Sequence, residues 1–205
     1  MLRAVFPALF AVCLIWTPVS ALETQKTVVC FGDSITAGYG LPEGVSYPED
    51  LNRMLAARHI PYRVMNAGVP GDTTTDALTR LPSILALHPQ VVVVEFGGND
   101  GLRGIDLKQT RANLTEVVHR LRAARIRVLL VGITLPPNYG PDYIRSFQQV
   151  FVDVAQAEHV ARMPMIYDGI YTVPGTIQND GIHPTAKGSQ MIAAHMLPYL
   201  MPLLR

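Results

Sequence analysis

The stretch Thr27-Val28-Val29-Cys30-Phe31-Gly32-Asp33-Ser34 joins an unbroken apolar run to a glycine and two polar residues. A short apolar run without polar alternation is typical of a strand that is covered on both faces, as in the parallel sheets of α/β proteins. In such sheets ligands bind beyond the carboxyl ends of the strands. The stretch therefore predicts both the first strand of a parallel sheet and the first loop of a functional site.

Similar apolar runs recur along the chain, and segments with helical spacing separate them. This alternation indicates right-handed β-α-β crossovers, which build a parallel sheet with helices on both faces. We therefore predict an α/β fold in the form of a three-layer α/β/α sandwich. The predicted strands are 27–31, 62–66, 91–96, 127–133 and, with a weaker pattern, 165–167; the predicted helices are 47–58, 74–87, 107–124, 143–159 and 185 to about 203.

The first 21 residues show the three regions of a secretory signal peptide. Arg3 precedes an apolar run that ends at Trp16, and Ala21 is the small residue expected at the cleavage site. The run is short for a membrane-spanning helix, although an uncleaved N-terminal anchor is the alternative. We expect residues 1–21 to be removed and residues 22–205 to form one domain. The mature protein would then be periplasmic or secreted, without stable membrane insertion.

The charge and cysteine content of the chain limit the partners that the protein is expected to bind. The chain has 205 residues, of which 17 are basic and 16 are acidic, and its formal net charge is +1. Because it is nearly neutral and has no long run of one sign, it lacks the field that attracts nucleic acid. Cys13 would leave with the signal peptide, so Cys30 would have no intramolecular disulfide partner. We expect a monomer that does not bind nucleic acid.

The predicted loops contain the groups that a serine nucleophile needs. A serine hydroxyl requires a base within hydrogen-bonding reach and a third group that orients this base. Ser34 follows the first predicted strand, although it could simply cap a helix. His183 follows Asp180 by three residues, so the carboxylate could orient the imidazole. The alternative for this pair is an ordinary turn at the start of a helix.

Donors for a developing oxyanion are also present. The side-chain amide of Asn99, the backbone N–H of Gly71 and that of Ser34 would supply three donors at neighbouring strand ends. Each loop taken alone is ordinary turn chemistry. The joint occurrence of nucleophile, base and donors favours a hydrolytic site. No His-Glu-x-x-His string or cysteine cluster is present, so no metal site is predicted.

Four groups of residues follow one another along the chain: Gly32-Asp33-Ser34, Gly71, Gly98-Asn99-Asp100 and Asp180-Gly181-Ile182-His183-Pro184. In this order they resemble the SGNH or GDSL hydrolase superfamily, and the resemblance covers nearly the whole mature chain. The segments 97–104 and 135–140 are most similar to small exported bacterial enzymes that act as acyl-CoA thioesterase, lysophospholipase and arylesterase. The resemblance implies a flavodoxin-like, five-stranded parallel sheet in the order 2-1-3-4-5. It implies no metal and no organic cofactor.

The resemblance also implies roles for individual residues. Ser34 would be the nucleophile, His183 the base and Asp180 the acid, with oxyanion donors at Ser34, Gly71 and Asn99. Ile35 stands where the family name implies leucine, a substitution of similar volume. The implied reaction is hydrolysis of small acyl esters or thioesters through an acyl-enzyme.

Apolar residues near these loops are candidates for an acyl-binding groove, although packing beneath the loops is the alternative. They are Leu102, Ile105, Leu135, Pro136, Tyr139 and Ile177. Two other functions stay open. One is deacetylation of carbohydrate esters within the same superfamily. The other is a non-catalytic, flavodoxin-like binding domain, although the first loop lacks a Ser/Thr-rich phosphate cradle.

Overall fold

Five parallel strands form a central sheet in the order β2-β1-β3-β4-β5. The computed structural model describes residues 25–205, so the predicted signal peptide lies outside the described residues. The sheet confirms the predicted fold class and strand order. The strands are β1 Lys26–Gly32, β2 Tyr62–Gly68, β3 Val91–Glu95, β4 Arg127–Val131 and β5 Ala161–Met163.

The last strand lies earlier in the chain than predicted. Residues 161–163 pair with β4, whereas the predicted segment 165–167 forms a turn. Pro164 has no N–H to donate to a ladder, so the strand ends before it. Ile166 is apolar because it is buried beneath the sheet edge, where its N–H donates to the Gly132 carbonyl at 2.8 Å. The prediction of the fifth strand was therefore wrong in position, because a buried turn has the same apolar pattern as a strand.

Helices cover both faces of the sheet. The contacts of α2 with α7 define one layer, and those of α5 with α3 and α6 define the other. Three details differ from the prediction: α6 begins at Pro141, α7 ends at Leu200, and the short helices α1 and α4 were not predicted. The helices are α1 Ser34–Ala37, α2 Tyr47–Ala57, α3 Thr74–Ala86, α4 Gly98–Leu102, α5 Leu107–Ala123, α6 Pro141–Ala157 and α7 Ala186–Leu200, with 3-10 turns at Pro137–Tyr139 and Met201–Leu204.

The register of the central strands brings three loops to the same level. Gly32 at the end of β1 pairs with Gly68 of β2 on one side and with Glu95 of β3 on the other. β3 is buried along its whole length and β1 is buried from Val28 onward, which explains the apolar runs in their sequences. In the part of the chain from residue 25 onward, none of the helices combines the length and apolar character needed to cross a bilayer.

Candidate active site

Ser34 stands at the first position of α1, directly beyond the carboxyl end of β1. The Asp33 side chain caps this helix and accepts a hydrogen bond from the Ile35 N–H at 3.0 Å. A Cβ atom at Gly32 would lie 2.0 Å from the Thr36 hydroxyl oxygen and 2.7 Å from the Glu95 carbonyl oxygen. Only glycine allows this close approach, so the turn that presents Ser34 depends on it.

His183 meets Ser34 although 149 positions separate them in the chain. Its Nε2 lies 2.8 Å from the Ser34 Oγ, and its Nδ1 lies 2.7 Å from the Asp180 Oδ2. This is the arrangement in which a carboxylate fixes the imidazole tautomer and leaves Nε2 as the acceptor for a hydroxyl proton. The three side chains therefore form a continuous hydrogen-bonded chain from carboxylate to hydroxyl.

The carboxyl group of Asp180 is held in its ionised form. Its partial burial opposes ionisation, but the backbone N–H groups of His183 and Ile182 donate to Oδ1 at 3.0 and 2.9 Å. Together with the imidazole, these hydrogen bonds lower the pKa of Asp180 to about 2. The group that orients His183 is thus a carboxylate at any pH at which the protein would normally operate.

The loop that carries His183 is tied to the segment that follows α1. Gln178 donates its backbone N–H to the His183 carbonyl at 2.8 Å, and its Nε2 donates to the carbonyls of Tyr39 and Pro184 at 2.8 and 2.9 Å. The Tyr39 ring also packs against the imidazole, with 4.8 Å between the ring centres. These contacts limit the movement of the imidazole relative to Ser34.

Gly71 and Asn99 face the same space as Ser34. Gly71 has φ +87°, a left-handed conformation that favours glycine. The amide nitrogen of Asn99 donates to Asp33 Oδ2 at 3.1 Å and to the Asp72 carbonyl at 2.9 Å. Because this nitrogen has only two hydrogens, Asn99 can serve an oxyanion only by sharing or giving up one of these contacts.

A buried pair of carboxyl groups lies beneath Ser34. Asp33 and Glu95 are almost fully buried, and Glu95 accepts a hydrogen bond from the Thr36 hydroxyl at 2.8 Å. Burial raises the pKa of both groups, and their mutual repulsion raises that of Glu95 further. Because burial and the neighbouring Asp33 both raise the pKa of Glu95, we assign a proton to Glu95. The floor of the site therefore has one negative charge, on Asp33.

A cavity of about 330 Å³ opens beside the Ser34 hydroxyl, and its walls are mainly apolar. Of the predicted groove residues, Leu102, Leu135 and Pro136 line it. Ile105, Tyr139 and Ile177 do not belong to this lining. Tyr139 instead donates its hydroxyl to the Leu102 carbonyl at 2.8 Å, and Ile177 pairs with Pro184 in an isolated bridge. Tyr139 and Ile177 therefore contact the loops of the site without lining the cavity.

Sequence reasoning missed several residues of the cavity. Tyr39 and Tyr171 are about half exposed at its walls, and Ile133, Tyr167 and Ile182 complete the apolar surface. No local pattern marks these positions, because they enter the site from four separate segments. Within residues 25–205, no cluster of three or more His, Cys, Asp or Glu side chains is arranged to hold a metal ion.

Residues 30–191 match the profile of the GDSL-like lipase/acylhydrolase family. The chain belongs to this family, and its class is that of the SGNH-fold ester hydrolases. It is 41% identical to the esterase TesA of Pseudomonas aeruginosa, over 94% of this chain and 96% of the relative. It is 36% identical to thioesterase 1/protease 1/lysophospholipase L1 of Escherichia coli, over 96% of this chain and 92% of that protein. The crystal structure of TesA superposes with a TM-score of 0.84 at 42% identity, covering 87% of this chain and 99% of that one.

Proposed function

We propose that this hydrolase cleaves acyl esters and thioesters through an acyl-enzyme on Ser34. The observation that carries this assignment is the hydrogen bond of 2.8 Å between Ser34 Oγ and His183 Nε2, aligned by the Asp180 carboxylate. Family membership supports the reaction class, and the geometry supports the roles of the three side chains.

In the proposed first step the Ser34 oxygen attacks the acyl carbonyl carbon while His183 accepts the hydroxyl proton. The Asp180 carboxylate stabilises the imidazolium that forms. The tetrahedral intermediate collapses when His183 returns the proton to the leaving alcohol or thiol, which leaves the acyl group on Ser34. In the second half a water molecule attacks the acyl-enzyme by the same route and releases the acid.

The negative oxygen of each intermediate would be held by the backbone N–H groups of Ser34 and Gly71 and by the Asn99 amide. Donors fixed in place before the reaction stabilise such an oxygen without reorganising during it. When the oxyanion forms, Asn99 would share or exchange one of its hydrogen bonds to Asp33 or Asp72. The loops that hold these groups thus contribute to the rate as well as to folding.

The cavity favours an apolar acyl or aryl group as substrate. Leu102, Ile133, Leu135 and Pro136 give its walls apolar surface that a hydrocarbon group would bury. Together with the names of the two relatives, this supports acyl esters, acyl thioesters and lysophospholipids as substrate classes, and the resemblance stated from the sequence adds aryl esters. We further propose that the enzyme acts as a monomer, without nucleic acid, in the periplasm or outside the cell after residues 1–21 are removed.

The decisive experiment replaces the nucleophile. We expect Ser34→Ala to reduce kcat for a p-nitrophenyl ester by at least about 10³-fold, because only transition-state binding would remain. Labelling by a serine-directed phosphonate should also disappear. The matched control is Ser146→Ala, an exposed serine on α6, which should leave both measurements unchanged. Retained turnover in Ser34→Ala would refute the assignment.

A series of substrates distinguishes this proposal from deacetylation of carbohydrates. We expect kcat/KM to increase as the acyl chain of an ester or thioester grows beyond acetyl, because each added methylene buries apolar surface in the cavity. Activity confined to acetyl esters, together with release of acetate from acetylated xylan, would favour the carbohydrate alternative.

A further inference from the structure

Arg80 makes three hydrogen bonds in the region directly behind the site. It lies on α3, and its Nε donates to Asp72 Oδ2 at 2.6 Å. Its Nη1 donates to the Ala67 carbonyl at 3.0 Å, and its Nη2 donates to the Gly32 carbonyl at 3.1 Å. One planar group thus connects the end of β1, the end of β2 and the loop that follows β2.

These segments are the ones that present the reacting groups. Gly32 ends β1 two positions before Ser34. Ala67 is the second-to-last residue of β2, which leads into the loop that contains Gly71. Asp72 directly follows Gly71, and its carbonyl accepts from the Asn99 amide at 2.9 Å. Arg80 therefore contacts the strand that leads to the nucleophile and the loop that supplies the Gly71 donor and the carbonyl acceptor for Asn99.

The guanidinium itself has little freedom. It lies 4.7 Å from the centre of the Phe31 ring and 5.7 Å from that of Phe96, and only 24% of its side chain is exposed. Its partner Asp72 is more buried, with 13% of the side chain exposed. A largely buried group that donates several hydrogen bonds and lies against aromatic rings matches the properties of arginine and not those of lysine.

We infer that Arg80 is a positioning residue that sets the geometry of the oxyanion donors through Asp72. Asp72 is held by Arg80 from within, while Arg103 tethers Gly71 from the exposed side by donating to its carbonyl at 2.8 Å. Loss of the inner contact would let the 71–72 backbone shift, and with it the Gly71 N–H and the acceptor that orients Asn99. Small displacements of this kind weaken transition-state stabilisation more than substrate binding. This inference rests on the proposed function.

The test is Arg80→Lys, which retains the positive charge but loses the three-way fork. We expect kcat for a p-nitrophenyl ester to fall by about 10- to 10²-fold with KM within about twofold of the wild type. The inhibition constant of an alkylboronic acid, whose tetrahedral adduct with Ser34 carries an oxygen in the oxyanion position, should rise by the same factor. The matched control is Arg122→Lys, whose guanidinium pairs with Glu158 at 2.8 Å between α5 and α6. It should change neither kcat nor the inhibition constant.

A second variant keeps the test decisive if Arg80→Lys does not fold. Asp72→Asn retains an oxygen acceptor for Arg80 but removes the charge, so we expect a smaller, parallel change in kcat and boronate affinity. Unchanged kcat and boronate affinity in folded Arg80→Lys or Asp72→Asn would overturn the inference, as would a change confined to KM. Failure of the proposed function itself looks different: the wild-type protein would then bind no boronate at Ser34.

Discussion

At the scale of single residues, the site depends on how the environment sets the charge of each carboxyl group. Asp180 accepts two backbone N–H bonds and remains ionised, with its pKa lowered to about 2. Glu95 is fully buried beside Asp33, and its pKa is raised well above the ordinary value. Carboxyl groups in one small site thus have different protonation states, because one is hydrogen-bonded by donors and the other is desolvated.

Replacement of the orienting carboxylate should slow catalysis without unfolding the protein. In Asp180→Asn the amide can donate a hydrogen to His183 Nδ1, which would leave the proton on Nε2 and remove the base. We expect kcat to fall by about 10²- to 10⁴-fold with KM little changed. Steady-state kinetics with a p-nitrophenyl ester checks this, and loss of the folded circular dichroism spectrum would show that the cause is structural instead.

The buried proton on Glu95 should appear in the pH dependence of stability. Burial raises the folded-state pKa, so the folded protein keeps a proton that the unfolded chain releases as the pH rises. The stability from this proton is complete below the ordinary carboxyl pKa and is lost at higher pH. Glu95→Gln cannot ionise, so we expect its free energy of unfolding, relative to wild type, to increase as the pH rises above the ordinary carboxyl pKa of about 4.

Urea denaturation at several pH values measures this difference. The matched control is Glu116→Gln, an exposed carboxyl group on α5, for which the difference should stay constant. Asp180 contributes with the opposite sign, since its lowered pKa gives stability that is lost as the pH falls from 3.8 toward 2, outside this window. A constant difference for Glu95→Gln would contradict the protonated state assigned to it.

At the scale of elements, four helices end in the same unusual way. Residues His59, His88, Arg125 and His159 follow α2, α3, α5 and α6 with φ of 53°, 47°, 62° and 49°. This left-handed conformation ends many helices and is normally occupied by glycine, because a Cβ atom is strained there. All four lie on the edge of the sheet opposite the site, where each helix turns into the next strand.

Relief of the backbone strain at these turns should increase the free energy of unfolding. We expect His159→Gly to raise the free energy of unfolding by about 1 kcal/mol, because glycine adopts the left-handed conformation without strain. Urea denaturation measures the change. The same substitution at His119, an exposed position inside α5, should lower stability, since glycine is unfavourable within a helix. Destabilisation by His159→Gly would show that its side chain makes contacts that outweigh the strain.

At the scale of the whole molecule, one apolar core joins the sheet to both helix layers. The core extends from β1 through α7, so the segments bearing Ser34 and His183 belong to one packed unit. Cys30 is buried and is the free cysteine of the described residues. Because no disulfide involves it, the fold of residues 25–205 depends on packing and hydrogen bonds.

This architecture predicts the behaviour of a shortened chain. A protein that begins at Leu22 retains every described element, because β1 starts at Lys26. We expect it to unfold in one cooperative transition that reducing agent does not alter, to sediment as a monomer and to keep the kcat/KM of the full chain. A second transition would show that residues 22–205 are not one cooperative unit, and a loss of activity on removing residues 1–21 would show that the N-terminal segment is part of the functional unit.

The sequence determined the sheet and singled out the side chains proposed to react, because both depend on patterns that are local in the chain. Apolar runs identified β1 to β4, and the polar residues after β1 and β3 pointed to Ser34 and Asn99. Asp180 and His183 were visible because three residues separate them. The place of β5 was missed because apolar character alone does not distinguish a buried turn from a strand.

Only the tertiary structure decided which distant residues surround these side chains. Tyr39, Tyr167 and Tyr171 form walls of the cavity. Arg80 donates hydrogen bonds to Gly32, Ala67 and Asp72. The protonation of Glu95 likewise follows from its burial against Asp33. Contacts between remote segments result from how helices and strands pack, and packing is a property of the whole chain that no short stretch contains.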